Sequence, residues 1–211
     1  LKVLNEAIIQ VVNDLLDELC MKTDIRRQDI LDISIAGNTV MHHIFFNINP
    51  KYVGLAPYAA VIRTPMVVKA GEVGVVANSG SRIYSLPSVA GYVGADAIAD
   101  IISTGIHESD QMSMMIDIGT NTEIALGSEK QLVCCSAPSG PAWEGAHITH
   151  GMRAGTGAIE SLWIDSKTFE ARYETIGKVK PTGICGSGII DAIAEMLKAR
   201  IIDNKGQINL N

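Results

Sequence analysis

Residues 112–136 constrain the fold most, because they combine three apolar runs with two short polar turns. Runs of this kind, separated by turns of two or three residues, are typical of successive strands joined by hairpins. The sequence therefore predicts a strand, a tight turn, a second strand, a second turn and a third strand in this segment.

The first of these turns has the composition of a phosphate-binding site. Asp117 ends the first apolar run, and Gly119, Thr120 and Asn121 follow it. Such a turn directs backbone N–H groups and hydroxyls at an anion. A carboxylate beside it suits Mg²⁺, which takes one or two carboxylates together with substrate phosphates. The alternative is an ordinary hairpin in which Gly and Asn only provide positive φ.

Composition narrows the class of protein. The chain has 211 residues, of which 47% are hydrophobic and 19% charged, enough for one sizeable core or two modest ones. A net charge of −6 gives no support for nucleic acid or an anionic membrane surface as a partner. No apolar stretch is long enough to span a bilayer, so we expect a cytoplasmic protein without a membrane partner.

Cysteines and histidines offer no recognisable metal site. The cysteines lack Cys-x-x-Cys spacing, which favours buried free thiols at Cys20, Cys134, Cys135 and Cys185. His147 and His150 have helical spacing, but no carboxylate stands between them as a zinc hydrolase requires. We expect a structural or solvent-facing role for both rings.

Strand and helix patterns alternate along the first half of the chain. Apolar residues at helical spacing predict an amphipathic helix over residues 2–20. A strand at 30–36 is followed by Gly37-Asn38-Thr39 and a helix at 40–46. Proline and glycine in residues 50–80 indicate an irregular or β-rich excursion. A strand at 82–86 and a helix at 93–104 follow.

Asp96 lies in the first turn of the helix predicted at 93–104. One interpretation is a carboxylate that only stabilises the helix dipole. The other is a carboxylate that faces a nucleotide and binds a metal-bound water or acts as a general base. The residue alone does not decide between them.

Small residues dominate the C-terminal part. After a glycine-rich segment with a short helix, strands are expected at 157–164 and 169–176. A loop formed by Gly186, Ser187 and Gly188 then leads into a helix. Free N–H groups and the helix dipole at such a start attract phosphate, although Ser187 alternatively caps the helix. The loop is neither a Walker loop nor a Rossmann fingerprint.

Five segments, taken together and in order, resemble the C-terminal part of the reductive activators of corrinoid-dependent proteins. These segments are 35–41 (IAGNTVM), 86–96 (LPSVAGYVGAD), 117–123 (DIGTNTE), 139–145 with 151–154 (SGPAWEG and GMRA), and 185–191 (CGSGIID). Those activators belong to the superfamily of acetate and sugar kinases, heat-shock chaperone ATPases and actin. The resemblance covers nearly the whole chain.

The resemblance implies an α/β fold of the actin-like, ribonuclease H-like ATPase type, with two mixed-sheet halves and helices on the sheet faces. Residues 1–110 would be the remainder of the first half, with the insertion at about 50–80, and residues 111–211 the second half with the phosphate hairpin. Only one Asp-x-Gly-Thr hairpin is present, and no adenosine-binding glycine pair follows it. We therefore expect an incomplete fold, a fragment of a longer protein.

The same resemblance implies an ATP-binding domain that drives reduction of a corrinoid protein from cob(II) to cob(I)alamin. Asp117 would bind Mg²⁺, with Glu123 and Asp96 as further catalytic residues. The nucleotide would contact Gly119, Thr120, Asn121, Thr122, Gly37, Asn38, Thr39, Gly186, Ser187 and Gly188. An iron–sulfur cluster is expected only in a missing N-terminal domain. The expected partners are a corrinoid protein and a second copy of the chain.

Two other functions stay open from the sequence. A small-molecule kinase of the same fold would need a catalytic carboxylate, for which Asp96 is the candidate. A non-catalytic docking and dimerisation module would use an apolar surface around Phe45, Phe46, Tyr52 and Tyr58, although aromatic residues of this kind usually belong to the core.

Overall fold

The computed structural model describes residues 1–209. Its four α-helices are α1 Lys2–Thr23, α2 Thr39–Phe45, α3 Ala95–Thr104 and α4 Gly186–Lys198. Its nine strands are β1 Asp32–Ile35, β2 Met66–Lys69, β3 Arg82–Ser85, β4 Ser113–Ile118, β5 Asn121–Ser128, β6 Gln131–Pro138, β7 Ala158–Ile164, β8 Ala171–Thr175 and β9 Gly183–Ile184. Within these residues, no helix combines the length and apolarity needed to cross a bilayer.

The chain forms two compact units. The first contains residues 1–117 and 123–136, and the second contains residues 118–122 and 137–211. The chain therefore passes into the second unit for the tip of the β4–β5 hairpin, returns for most of β5 and β6, and then stays in the second unit. The predicted halves, 1–110 and 111–211, follow other bounds and stay a prediction.

The first unit has a mixed sheet of order β1-β3-β2, in which β1 is parallel and β2 antiparallel to β3. Helix α1 was predicted from its apolar spacing and packs on this unit through Ile9. Its core partners include Phe45, Val75 and the fully buried Ile83. Phe45 is thus a core residue, so the predicted docking surface that includes it is wrong. Tyr52 and Tyr58 are exposed.

Strands β4, β5 and β6 form a second sheet in that order, as the meander prediction required. Met115 of β4 and Ala125 of β5 are buried with Ile101 of α3 and Ile106. This contact attaches the sheet to the end of α3. The face of β4 that carries Met114, Ile116 and Ile118 is exposed.

The second unit has a mixed sheet of order β8-β7-β9, in which β7 is antiparallel to β8 and parallel to β9. Helix α4 packs along β7. The carboxylate of Asp191 accepts the Leu162 N–H at 3.2 Å, and the carboxylate of Glu195 accepts the Ile164 N–H at 3.2 Å. Asp191 therefore ties helix to strand.

Two local predictions are wrong, and a third is confirmed in one of its two alternatives. The segment after Gly145 forms turns, since Gly145 and His147 both have positive φ, so the short helix and the helical His147–His150 pair are absent from it. Cys134 and Cys135 are exposed, so the prediction of buried thiols is wrong for these two residues. Residues 50–80 were predicted to be irregular or β-rich; they contain one strand, β2, with two short 3-10 helices, so the irregular alternative is confirmed.

Candidate functional site

The turn at residues 37–39 lies against the start of α3 in the first unit. Asn38 caps α2, because its side chain accepts the Met41 N–H at 2.9 Å. The hydroxyl of Thr39, 1% exposed, donates to the Ala90 carbonyl at 3.1 Å. The backbone N–H of Asp96 donates to the Gly37 carbonyl at 3.3 Å. The structure thus brings this turn and Asp96 together; the Thr39 hydroxyl and the Asn38 side-chain oxygen are bonded within the protein, whereas the exposed Asn38 amide N–H₂ has no hydrogen bond within residues 1–209.

Gly94 explains how the two segments approach so closely. A Cβ atom at this position would lie 2.8 Å from both Asn38 Cα and Thr39 N, and 2.7 Å from a carboxylate oxygen of Asp96. The Asp96 carboxylate accepts the N–H of Ala97 at 2.9 Å, a contact within the first turn of α3. One Asp96 oxygen therefore stabilises the start of α3, which favours the interpretation of Asp96 as a helix-dipole carboxylate.

Four carboxylates interact in the first unit. Burial raises the pKa of Asp100, and the neighbouring Asp117 and Asp96 raise it further. Burial also raises the pKa of Glu123; the hydrogen bond from Ser136, 2.9 Å long, opposes this shift, while the charges of Asp96 and Asp117 add to it. The predicted residues Asp96, Asp117 and Glu123 are therefore close enough to interact, and Asp100 joins them.

The tip of the hairpin belongs to the second unit, where the segment 139–144 holds it. The Thr120 hydroxyl donates to Glu144 Oε1 at 2.7 Å. The Thr120 carbonyl accepts the N–H groups of Ser139, at 3.1 Å, and Gly140, at 2.9 Å. The hydroxyls of Thr122 and Ser139 are 2.5 Å apart. Three of the four contacts therefore fix one exposed residue, Thr120.

Electrostatics favour an ionised Glu144. The hydrogen bond from Thr120 lowers the pKa of this carboxyl, and the charge of Arg153 contributes in the same direction. The second oxygen, Glu144 Oε2, is shielded from solvent and has no hydrogen-bond partner among residues 1–209. An acceptor of this kind is available to a donor that binds later.

Gly186, Ser187 and Gly188 form the first turn of α4 rather than a loop, and Cys185 is the N-cap, so the prediction that Ser187 caps the helix is wrong. A Cβ atom at Gly186 would lie 2.6 Å from the Trp143 carbonyl oxygen, and one at Gly188 would clash with the Ile159 carbonyl. Both glycines thus permit close backbone packing. Their N–H groups still lie at a helix start, where the first N–H groups have no partner within the helix.

Two histidines of α2 are buried in the first unit, and sequence reasoning gave them no role. His43 is fully buried; its Nδ1 is 2.7 Å from the Thr39 carbonyl, and its Nε2 accepts the Val61 N–H at 3.0 Å. His42 is 5% exposed, and neither ring nitrogen has a partner within residues 1–209. It lines a cavity of about 130 Å³ together with Gly37 and Ser85. Burial lowers the pKa of His42, and the adjacent His43 adds to this effect.

Two residues of the candidate site were missed as individual residues. Asp100 lies four residues after Asp96 on α3, a spacing that places both on one helix face and was visible in the sequence. Glu144 was part of a recognised segment, but its contact with Thr120 joins residues 24 positions apart. No local pattern indicates such a contact.

Two segments of the chain match models of one protein family. Residues 1–109 match the RACo middle region, and residues 111–211 match the C-terminal domain of RACo, the ASKHA domain. The chain belongs to the RACo family. The predicted family and the predicted actin-like α/β class are therefore confirmed.

Two relatives of this RACo-family chain have names that refer to corrinoid proteins. It is 37% identical over 201 residues to the corrinoid activation enzyme RamQ of Eubacterium limosum, and 28% identical over 230 residues to the [Co(II) methylated amine-specific corrinoid protein] reductase of Methanosarcina barkeri. Each alignment covers 95% of this chain, but only 33% and 42% of the respective relative.

A solved structure of a reductive activator for a corrinoid, iron–sulfur protein matches with a TM-score of 0.85 and 40% identity. The match covers 97% of this chain and 33% of that chain. The RACo-family chain thus spans 33–42% of the length of these three relatives.

The ligand chemistry of the first unit fits Mg²⁺. Within residues 1–209, no three His, Cys, Asp or Glu side chains are arranged to hold a metal ion. Mg²⁺ does not need such a cage, because it usually keeps several waters and takes one or two carboxylates with substrate phosphates. Asp117 is half-buried and has other carboxylates as neighbours, so a divalent cation would relieve their mutual repulsion.

Proposed function

We propose that this chain is the ATP-binding part of a protein that reductively activates a corrinoid protein. The observation that carries the proposal is the match of the chain, over 95–97% of its length, to three proteins named as activators or reductases of corrinoid proteins. The site residues are consistent with it, because a carboxylate group and a hairpin tip with hydroxyls meet the needs of phosphoryl transfer, which are positioning and charge neutralisation.

Three of the predicted residues receive a specific role in this proposal. Asp117 binds Mg²⁺, which neutralises charge on the phosphates. Glu123 orders the attacking water; its raised pKa places it closer to the range of an effective general base. Asn121, whose exposed side chain has no hydrogen bond within residues 1–209, donates to phosphate, as do the backbone N–H groups of the hairpin.

Turn 37–39 and the start of α4 have narrower roles. Thr39 uses its hydroxyl within the first unit and the Asn38 oxygen caps α2, so the exposed Asn38 amide N–H₂ and the backbone groups of the turn remain for the nucleotide. The first N–H groups of α4, from Gly186 to Gly188, remain available to a phosphate or to the adenosine moiety.

Reduction of cob(II) to cob(I) requires one electron at low potential. The structure shows four free cysteines within residues 1–209, two of them exposed, and no three-residue metal-binding group there. We therefore place the iron–sulfur donor in another domain, and assign to this chain the nucleotide binding that makes the transfer favourable. A cytoplasmic location and a homodimer also belong to the proposal.

A small-molecule kinase is the less favoured alternative. Its catalytic carboxylate would be Asp96, but one oxygen of that carboxylate already accepts the Ala97 N–H. Phosphorylation of a sugar or an organic acid by the purified chain would support the kinase instead of the activator.

Calorimetric titration with Mg-ATP tests the proposed nucleotide site. The unsubstituted chain should bind, and Asp117→Asn should weaken binding at least about tenfold, because each 1.4 kcal/mol is a factor of ten and a charged ligand contributes at least that much. Asp110→Asn is the matched control, since Asp110 is exposed and lies outside the carboxylate group. Equal binding by both variants would refute the role of Asp117.

A further inference from the structure

Glu144 and Thr120 form a pair whose hydrogen bond has only one direction. A carboxylate accepts and cannot donate, so the proton between Thr120 Oγ1 and Glu144 Oε1, which are 2.7 Å apart, belongs to the threonine. A hydroxyl has one proton and two lone pairs. With its proton directed at Glu144, Thr120 Oγ1 can only accept a further hydrogen bond or bind a cation.

The backbone on both sides of Glu144 is fixed, which keeps this direction constant. Gly145, with φ +84°, packs so closely on Gly151 and Met152 that a Cβ atom there would clash with both. On the other side, the Trp143 carbonyl lies against Gly186 of α4. Glu144 therefore extends from a segment with little freedom to move, as a preorganised site requires.

Thr120 is also held by backbone contacts that do not involve its hydroxyl. Both contacts of the Thr120 carbonyl, from the Ser139 and Gly140 N–H groups, leave the hydroxyl oxygen unaffected. Thr120 is nevertheless exposed, so its lone pairs can be reached by a ligand. The buried and unbonded Glu144 Oε2 lies on the same carboxylate and is a second acceptor.

We propose that Glu144 is a positioning residue that makes Thr120 an acceptor, so that Thr120 Oγ1 binds the Mg²⁺ of the nucleotide, or a water on that Mg²⁺, instead of donating to a phosphate oxygen. This inference rests on the proposed function and changes one part of it, because it removes the Thr120 hydroxyl from the phosphate donors. Glu144 Oε2, which has no partner within residues 1–209, would be available to accept a hydrogen bond from a water of the hydrated cation.

Substitution of Glu144 should therefore lower the affinity for ATP in the presence of Mg²⁺ and leave the affinity for ATP without Mg²⁺ unchanged. In Glu144→Gln, the amide N–H₂ can donate to Thr120 Oγ1, which reverses the hydrogen bond and turns the hydroxyl proton towards the ligand. Outer-shell partners of metal ligands typically change metal affinity about 10- to 100-fold. The ratio of ATP affinity with Mg²⁺ to ATP affinity with a chelator should therefore fall by about tenfold or more.

The experiment measures this ratio by calorimetry in five forms of the chain: unsubstituted, Glu144→Gln, Thr120→Val, Thr120→Ser and Glu170→Gln. Thr120→Val should lower the ratio as Glu144→Gln does, whereas Thr120→Ser, which keeps the hydroxyl, should preserve it. Glu170 is an exposed glutamate on the same unit and serves as the control. Thermal unfolding of each variant checks that it folds.

Each outcome has a separate meaning. A ratio that falls in Glu144→Gln and Thr120→Val, with metal-free affinity unchanged, supports the inference. An unchanged ratio, or an equal loss with and without Mg²⁺, overturns it, since the pair would then act on phosphate or only on structure. If the unsubstituted chain binds no nucleotide under either condition, the proposed nucleotide site and this inference both fail.

Discussion

Two turns of similar composition differ in how the protein uses them. Gly37-Asn38-Thr39 and Gly119-Thr120-Asn121 both follow a strand and contain glycine, asparagine and threonine. In the first, Thr39 is 1% exposed and bonded to the Ala90 carbonyl, and Asn38 caps a helix. In the second, Thr120 and Asn121 are exposed. Composition therefore does not separate the two turns, whereas the burial of the threonine does, since Thr39 is buried and Thr120 is exposed.

The largest expected effect concerns the packing of the first turn. Gly94→Ala should lower the free energy of unfolding by about 2–3 kcal/mol, since overpacking a tight contact typically costs this much. The new Cβ would lie 2.8 Å from Asn38 Cα and Thr39 N. Chemical denaturation measures the effect. Gly71→Ala is the control, because no heavy atom lies within 4 Å of its Cβ position; equal loss in both variants would contradict a packed first turn.

A pair of threonine substitutions compares the turns directly. Thr39→Val should lower the free energy of unfolding by about 1–2 kcal/mol, because the Ala90 carbonyl loses a buried hydrogen bond. Thr120→Val should lower it by less than Thr39→Val does, because Thr120 is exposed and water can replace the hydroxyl that donates to Glu144. Denaturation curves of the two variants, measured side by side, test this. Equal destabilisation would remove the distinction between structural and ligand-binding turns.

His42, which lines the cavity beside the first turn, should make that region sensitive to acid. Burial lowers its pKa below the ordinary 6.5, so the unfolded chain takes up a proton more readily than the folded chain. Its contribution to stability is therefore full above pH 6.5 and is lost as the pH falls below it. His42→Phe should give a flatter dependence of the free energy of unfolding on pH between 7 and 5. A slope equal to that of the unsubstituted chain would show that His42 is accessible to protons in the fold.

The smallest expected effect concerns the carboxylates. Burial and the charges of Asp117 and Asp96 raise the pKa of Asp100, so its ionised form is disfavoured in the folded chain. Its contribution to stability therefore decreases as the pH rises from its ordinary 3.8 through its raised value. Asp100→Asn should raise the free energy of unfolding at pH 7 by about 0.5 kcal/mol, the size of a like-charge pair four residues apart on a helix.

Calorimetry and thermal unfolding without Mg²⁺ measure the Asp100 effect, with Asp110→Asn as the control for an exposed aspartate. The gain should shrink when Mg-ATP is present, because the cation would neutralise the same repulsion. Destabilisation by Asp100→Asn would instead mean that the carboxylate makes a favourable contact in the fold.

The sequence predicted the elements that have strong periodicity. Helix α1 and the β4–β6 meander follow directly from the spacing of apolar residues, and the order of the five segments indicated the family. The turns after Gly145 were mistaken for a helix because the positive φ of His147 cannot be read from its identity. The exposure of Cys134 and Cys135 depends on whether other elements cover the two faces of β6, which the residue types along the strand do not show.

The candidate site was less predictable than the fold. The charges of Asp96 and Asp117 raise the pKa of Glu123, so these three predicted residues lie near one another, while their roles at the nucleotide stay a prediction. The hydrogen bond between Glu144 and Thr120 joins residues 24 positions apart in the sequence. The hydrogen bond between Thr39 and Ala90 joins residues 51 positions apart. Contacts at such separations come from tertiary packing, which local sequence patterns do not predict.

The central claim is that the hairpin of residues 117–123 binds the nucleotide, and amide hydrogen exchange with and without Mg-ATP tests it most directly. If the hairpin binds the nucleotide, exchange should slow on addition of Mg-ATP in peptides covering residues 118–123. Unchanged exchange at 118–123, with protection gained elsewhere on the chain, would contradict the account and place the nucleotide at another site.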